Sequence, residues 1–544
     1  FPYTTLFRSW GYQDQVLSNE EDAAIENLIA AHFSLDEVPS LPIPLAEDID
    51  LPKPRVKIPQ TLAKVLSKNH LERLNHTYGK SFPDLARAML KQFPHPPDLV
   101  AFPNDQEDVV NLLDWADQNN IAVIPYGGGS SVCGGVETYV GDDYSGVISL
   151  DLRNLDKVLE IDKESRAARI QAGIFGPALE DELRKSDLTL RHFPQSFEHS
   201  TLGGWIATRS GGHFATLYTH IDDFVESTTM VTPTGVIESR RLPGSGAGPS
   251  PDRMVIGSEG ILGVITEAWM RLQNRPIFRS SCSVEFDDYQ KALNATRLIS
   301  QSGLYPANCR LLDANEALFN GVGDGSKHLL ILSFESADHE LGTWLDRALE
   351  IASSAGGSYE KPQEKEPEAH RTGASGTWRN SFIRAPFNRD AAVRRGIIWD
   401  TFETSITWDH GFEFIESLKE KTRKAIHEIS GREPNVTCRL THTYPDGCAP
   451  YFSYTAYATP STMLDVWKQI KIATNEMVVA EGGTITHHHA VGRDHRVKGY
   501  DVQIPSGFKD MLTAAKSSVD PRSIMNPGVL IDSGKGKIGH WMEN

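Results

Sequence analysis

The sequence predicts an α+β chain built from several packed units, and three observations carry that prediction. At 544 residues it is long enough for about three or four domains of ordinary size. Between Gly146 and Ile237 short β-branched runs alternate with turn signals (GVISLDL, RAARIQAG, TTMVTPTGVIES), as antiparallel strands do. After Arg275 the order becomes strand then helix. It appears in SSCSVEFDDYQKALNATRLISQSG and again in HLLILSFES followed by ELGTWLDRALEIASSAG.

The elements follow in order. Residues Glu20 to Met89 read mostly helical, because EEDAAIENLIAAHF repeats its apolar positions at three-and-four spacing. The prolines of LPIPLAEDIDLPKPRVKIP make an extended connector inside that stretch. PHPPDLVAFP opens a new unit: a helix in QEDVVNLLDWADQNN, a strand in IAVIP, and the loop YGGGSSVCGG. TPTG between two β-branched runs predicts a hairpin turn. Pro243 to Asp252 is a loop by composition. Ser358 to Gly376 reads as a plain surface loop in preference to a lid. FKDMLTAAKSSVDPRSIMNPGVL closes the pattern as a helix ended by a proline-bearing turn. The expected division is a helical region over 9–94, a domain over 95–275, a second over 276–500, and a C-terminal segment over 501–544.

Composition excludes some functions. The 54 basic and 72 acidic residues leave a net charge of −18, the wrong sign for a protein living on nucleic-acid backbone. No apolar run reaches the ~18 residues that span a bilayer. No secretory or peroxisomal signal is seen, and Phe1 to Arg8 are left out of the fold reading. Cys133, Cys282, Cys309, Cys438 and Cys448 are odd in number and widely spaced, which gives neither a disulfide framework nor a cysteine-rich zinc site. The expected compartment is the cytoplasm.

Several segments have the chemistry of a site. Gly127, Gly128 and Gly129 follow a strand, where backbone N–H groups converge on an anion such as a pyrophosphate because no Cβ blocks approach; a bare tight turn is the alternative. Val132 stands where a dinucleotide fingerprint needs its third glycine, and no Gly-Lys-Ser/Thr follows for a Walker loop. PQSFEHSTLGGWIATRSGG and GSEGILGVI are equally rich in small residues, so a ligand would lie against main chain. On a strand, His487 and His489 would share one face and His488 the other. The triplet reads as metal ligands, an exposed polar strand or proton carriers. No third ligand is evident for a metal, and none is expected. Tyr444, Tyr451 and Tyr454 read as core or interface aromatics. Arg384, Arg389, Arg394 and Arg395 read as a solvated helix face or a phosphate clamp.

In the order STLGGWIATRSGG, MVTPTGVIE, GSEGILGVITEA, THTY with Tyr451 seven residues on, and HHHAVG, the chain resembles the vanillyl-alcohol oxidase/p-cresol methylhydroxylase family of FAD proteins. The likeness runs from Trp10 to Leu530 and is to the ether-lipid-forming branch. It implies a two-subdomain FAD-binding domain of the p-cresol methylhydroxylase type, an α/β cap domain, an N-terminal helical region, and a C-terminal return to the FAD domain. It implies that Pro125, Tyr126, Gly127, Gly128, Gly129, Ser130 and Ser131 cradle the pyrophosphate. The rest of the FAD would lie on Pro194, Gln195, Ser196, Phe197, Glu198, His199 and Ser200, on Thr208, Arg209, Ser210 and Gly211, and on Glu259, Gly260, Ile261, Leu262, Gly263, Val264 and Ile265. The 125–137 loop has no histidine, so a dissociable FAD is expected.

The resemblance implies exchange of the acyl group of acyl-dihydroxyacetone phosphate for a long-chain alcohol, through attachment at flavin N5 and without net redox. It makes Tyr451 the acid/base, places His487, His488 and His489 beside the ring, gives Arg389 the substrate phosphate, and has Arg310 support the site, through the histidines. A tyrosine base calls for a lowered pKa, expected from neighbouring cations. Oxidation of a 2-hydroxy acid such as D-lactate or glycolate is the alternative chemistry. Lipid substrates, peripheral membrane contact, a homodimer and no nucleic acid are the expected partners. Pro450 before the key tyrosine and Cys133 in the flavin loop depart from the family pattern.

Overall fold

The computed structural model describes residues 17–218, 220–360 and 388–532. Arg384 and most of the 358–376 loop lie outside them. Two hydrophobic cores organise the chain. The first surrounds a four-stranded sheet in the order Leu66–Ser67, Leu99–Ala101, Gly146–Asp151, Ile121–Tyr126. Its last three strands are parallel. They read as continuous apolar runs because both faces are covered. The helix Gln106–Gln118 starts where the Asp105 side chain caps the Asp108 N–H. Its apolar stripe (Val109, Leu112, Leu113, Ala116) packs onto this core.

Beside it lies an antiparallel five-stranded sheet, Val158–Asp162, Ala167–Gln171, Val264–Arg271, Val225–Thr232, Gly235–Glu238. Its last two strands form the hairpin expected at TPTG.

The second core lies under a seven-stranded antiparallel sheet. Its main order is Phe278–Phe286, His328–Ser336, Asn308–Leu312, Asn435–Thr443, Gly447–Tyr457, Ile397–Glu403. Helices Tyr289–Ser300, Gly342–Ser354, Gly411–Ser430 and Met463–Ala480 supply the cover. Phe402 and Phe452 are direct cross-strand partners with rings 4.7 Å apart. Both are buried, each contributing on the order of 2 kcal/mol by burial. A slip of one residue would turn both rings away from the core, so this pair fixes the register of the strand that carries Tyr451.

Among the described residues, the helical region expected over 9–94 forms no core of its own. After the helix Asn19–Phe33 the chain is largely irregular until His70. Leu62, Val65 and Leu66 then join the first core, and Leu74, Phe82, Leu85 and Met89 the second. The chain re-enters the first core at Val491, ahead of the boundary expected at 501. There Arg493 and Asp494 donate their N–H groups to the Cys133 carbonyl at 2.8 and 3.1 Å. Val123 donates to the Ile524 carbonyl at 2.8 Å, and Asn526 donates back at 2.9 Å, sewing the C-terminal segment to the first sheet.

Candidate active site

A cavity of about 310 Å³ opens between the two cores. One part of its lining is main chain. Pro125 through Ser131 contribute, followed by Pro194 to Ser196, Thr208, Ser210 and Gly211, and by Glu259, Gly260, Gly263 and Ile265. The glycines here are required by packing. A Cβ on Gly128 would sit 1.9 Å from the His199 carbonyl oxygen. Gly129 has φ +66°, where L side chains are strained. Thr201, Gly203 and Gly204 also line the cavity. Thr201 Oγ1 is buried with no partner among the described residues, a donor–acceptor group suited to a polar guest. Glycine-walled main chain, lining serines and this hydroxyl fit an FAD.

Other expected cofactor residues stand behind this wall. Ile261, Leu262 and Val264 are buried in the first core. Ser200 accepts from the Trp205 indole N–H at 2.7 Å. Phe197 stacks on Trp205 with centroids 6.2 Å apart. Glu198 and His199 form a short 3₁₀ turn with Phe197. Arg209 points outward to Asp222, with its side chain 64% exposed.

The rest of the lining is side chain, and the seven-stranded sheet arranges it. Arg439 and Glu403 lie directly opposite Tyr451 on the two flanking strands. Leu312 pairs with Arg439, so Arg310, two residues away, shares that face. Arg310, Arg439, Tyr451 and Glu403 therefore stand on one side of the sheet. The Arg439 guanidinium lies 3.8 Å from the Tyr451 ring centroid, a cation–π contact, and also pairs with Glu316. The Tyr451 hydroxyl donates to Thr401 Oγ1 at 3.2 Å.

The lowered pKa expected for Tyr451 is not found. Burial pushes the phenol above its ordinary value, and the Arg439 cation and the Thr401 bond only oppose that push. Arg310 is pressed downward by burial and by Arg439, with Glu316 opposing.

His487, His488 and His489 form no strand. They bend around the Glu403 carboxylate, whose oxygens accept the three backbone N–H groups at 2.8–3.2 Å. Amides spent this way cannot join a sheet ladder, so the two-faced arrangement is replaced by three rings around one anion. Burial opposes the charge on Glu403, but the surrounding histidines hold its pKa well below the carboxylate range. His487 and His489 are driven well below their ordinary value, chiefly by burial. His488 and His489 line the cavity, and His487 lies behind them.

Arg389 lies in the helical segment 388–394 and reaches the cavity. Its Nε donates to the Trp399 carbonyl at 3.1 Å and its Nη1 to the Lys80 carbonyl at 3.3 Å; Nη2 is 3.8 Å from Asp400. Arg394 and Arg395 do different work. They hold the connector after the N-terminal helix and the helix itself, through Leu41, Asp22 and Glu26. Tyr454 is core.

Four participants escaped the sequence reading: Arg439, His442, Glu403 and His220. His442 lies three residues from Arg439, which on a regular strand would put it on the other face. A β-bulge between Leu440 and His442 turns it to the cavity side. Its Nε2 bonds the Gly212 carbonyl at 3.0 Å, and potential ligand atoms of His442, His487 and His488 gather within 4.8 Å of one another. The THTY segment was the available signal for His442. Nothing near Glu403 or His220 in the sequence marks either one.

Residues 97–239 match the family described as FAD binding domain, and 275–530 match FAD linked oxidases, C-terminal domain. The chain is 31% identical over 525 residues to a Dictyostelium discoideum protein named alkyldihydroxyacetonephosphate synthase, covering 92% of this chain and 84% of that one. A solved alkyldihydroxyacetonephosphate synthase superposes with a TM-score of 0.79 at 25% identity, covering 96% of this chain and 98% of that one. p-Cresol methylhydroxylase shares the fold, with a TM-score of 0.63 at 14% identity, covering 86% of this chain and 94% of that one.

Proposed function

The chain belongs to the alkyldihydroxyacetonephosphate synthase family of FAD proteins, and from that premise we propose that it makes an ether lipid by exchanging the acyl group of acyl-dihydroxyacetone phosphate for a long-chain alcohol. The observation that carries the reading is the single cavity shared by Tyr451, His488, His489, Arg310 and Arg389 and the glycine-walled main chain.

When bound, the flavin supplies a polarisable ring able to activate the substrate carbon. The chain supplies everything else. Gly127 to Gly129 and the Thr201 hydroxyl hold the cofactor's polar groups against main chain. Arg389 takes the substrate phosphate through a forked guanidinium already oriented by two carbonyls. Tyr451 enters as a neutral phenol: it gives a proton as it stands, and accepts one only after passing its own on. Arg439 stabilises the phenolate through the ring face. Glu403 fixes the histidine bend, so that two imidazoles face the reacting groups without rearrangement. Glu316 keeps Arg439 in place beside the tyrosine, and Arg310 stands as a second cation on the same face of the sheet. Dissociable FAD and contact with a membrane surface belong to the same proposal, since the substrates reside in bilayers. Among the described residues no helix is long and apolar enough to cross one.

The test incubates flavin-loaded protein with palmitoyl-dihydroxyacetone phosphate and hexadecanol. Ether product with release of palmitate is expected. No ether product, together with anaerobic bleaching of the flavin by D-lactate or glycolate, would overturn the reading in favour of hydroxy-acid oxidation.

A further inference from the structure

Exchange of an ester for an ether leaves one proton over. The alcohol oxygen bonds to the carbon that the acyl carboxylate leaves, and the bonding pair departs with the carboxylate. The hydroxyl proton then has no owner, because a carboxylic acid is ionised well above its pKa of about 4. Each turnover must therefore export one H⁺ from the cavity. This argument rests on the reaction proposed above.

A chain of hydrogen bonds leads out of the cavity. His488 lines it. His488 Nδ1 lies 3.1 Å from His487 Nδ1, and His487 Nε2 lies 2.8 Å from the Tyr444 hydroxyl. The same hydroxyl meets His220 Nε2. Tyr444 and His220 are only half-buried, and Pro445, Asp446 and Asp223 beside them are exposed.

A phenol has one hydrogen. Set between two imidazole nitrogens, it donates to one and accepts from the other, and so imposes a direction on the chain. An imidazole bonded through both nitrogens extends that direction, since a proton taken at one nitrogen releases the proton on the other. Every link between His488 and His220 is therefore both donor and acceptor, as proton hopping requires. The charged groups along the path are Glu403 beside His487 and His488, Asp222 near His220 and Asp446 near Tyr444. All three are carboxylates, which favour a passing positive charge. Arg209 near His220 opposes them. His442 packs against the rings of His220, His487 and His488 from the side.

We propose that His488, His487, Tyr444 and His220 form a proton exit, through which the hydroxyl proton of the incoming alcohol leaves the cavity for solvent. Tyr444 and His220 act through His487 and His488 and are not part of the cavity lining.

The experiment compares wild type, Tyr444→Phe and His220→Gln. Phenylalanine keeps the ring and removes the hydroxyl. Glutamine keeps a hydrogen-bonding side chain that cannot relay a proton. Ether formation is followed with palmitoyl-dihydroxyacetone phosphate and hexadecanol, and proton release with a pH indicator in weak buffer. Flavin content is read by absorbance. Both variants are expected to bind flavin normally and to turn over about 10- to 100-fold more slowly. Added imidazole should restore the rate in proportion to its concentration, and the solvent deuterium effect should exceed that of wild type.

An unimpaired Tyr444→Phe alongside an active wild type overturns the exit alone. So does a slow variant that imidazole does not restore and whose isotope effect is unchanged, since that pattern marks a merely structural role. A wild type that makes no ether from these substrates removes the parent reaction, and with it the proton the exit serves.

Discussion

The two linings of the cavity are built by opposite means. The cofactor side is main chain brought close by glycine, in runs each contiguous in sequence. The chemical side is a set of side chains delivered from separate elements and a bend: Arg310, Arg389, Arg439, Tyr451, His488 and His489. The first wall decides what can bind. The second decides what happens to it. Substitutions that separate binding from turnover test this division.

The largest effect is expected from Tyr451→Phe. Turnover should fall by about 10²- to 10⁴-fold with flavin absorbance unchanged, read by product analysis on the coloured protein. Full activity would remove Tyr451 from the acid/base role. Gly128→Ala is its counterpart on the other wall. The new Cβ would meet a main-chain carbonyl at 1.9 Å, which cannot swing aside, so the purified protein should be colourless. Normal flavin content would show that the loop yields more than its packing indicates.

Glu403→Gln should lower the melting temperature, by an amount corresponding to about 1–3 kcal/mol, because three backbone N–H groups lose a charged acceptor. It should also slow turnover, as the histidine bend loosens. Acid gives a related loss. His442, His487 and His489 sit well below their ordinary value of 6.5. As pH falls below 6.5 the unfolded chain therefore takes up protons that the folded chain refuses. Stability should decline steadily from there downward, seen as a falling melting midpoint. Glu259 pulls the other way, since burial raises its carboxyl to about 7 and folding then favours its protonated form between 4.5 and 7. A midpoint flat between pH 6.5 and 5 would mean that the imidazoles are hydrated.

Arg209→Ala is expected to do least. Its side chain is 64% exposed and paired on the surface with Asp222, a contact contributing at most about 1 kcal/mol. Flavin content should not change, whereas a colourless variant would return Arg209 to the cofactor wall.

Legibility in the sequence followed the same division. The glycine runs were readable because closeness of main chain to a ligand is a local demand, met by residue type at adjacent positions. The strand–helix order and the TPTG hairpin were readable for the same reason. The histidine bend was not legible because its partner, Glu403, lies 84 residues away from His487. His442 was missed because a bulge, which no composition announces, reversed its side. Arg394 and Arg395 looked like companions of Arg389 and turned out to hold the N-terminal helix and the connector after it.

By itself the sequence determined the elements, the glycine cradle and the types of reactive side chain, since each depends on periodicity, backbone freedom or intrinsic acidity. Only the tertiary structure decided which of those side chains meet and in what protonation state. Cross-strand register and burial set the Arg439–Tyr451–Glu403 row and kept the phenol protonated, and both arise from parts of the chain that are neighbours in space alone.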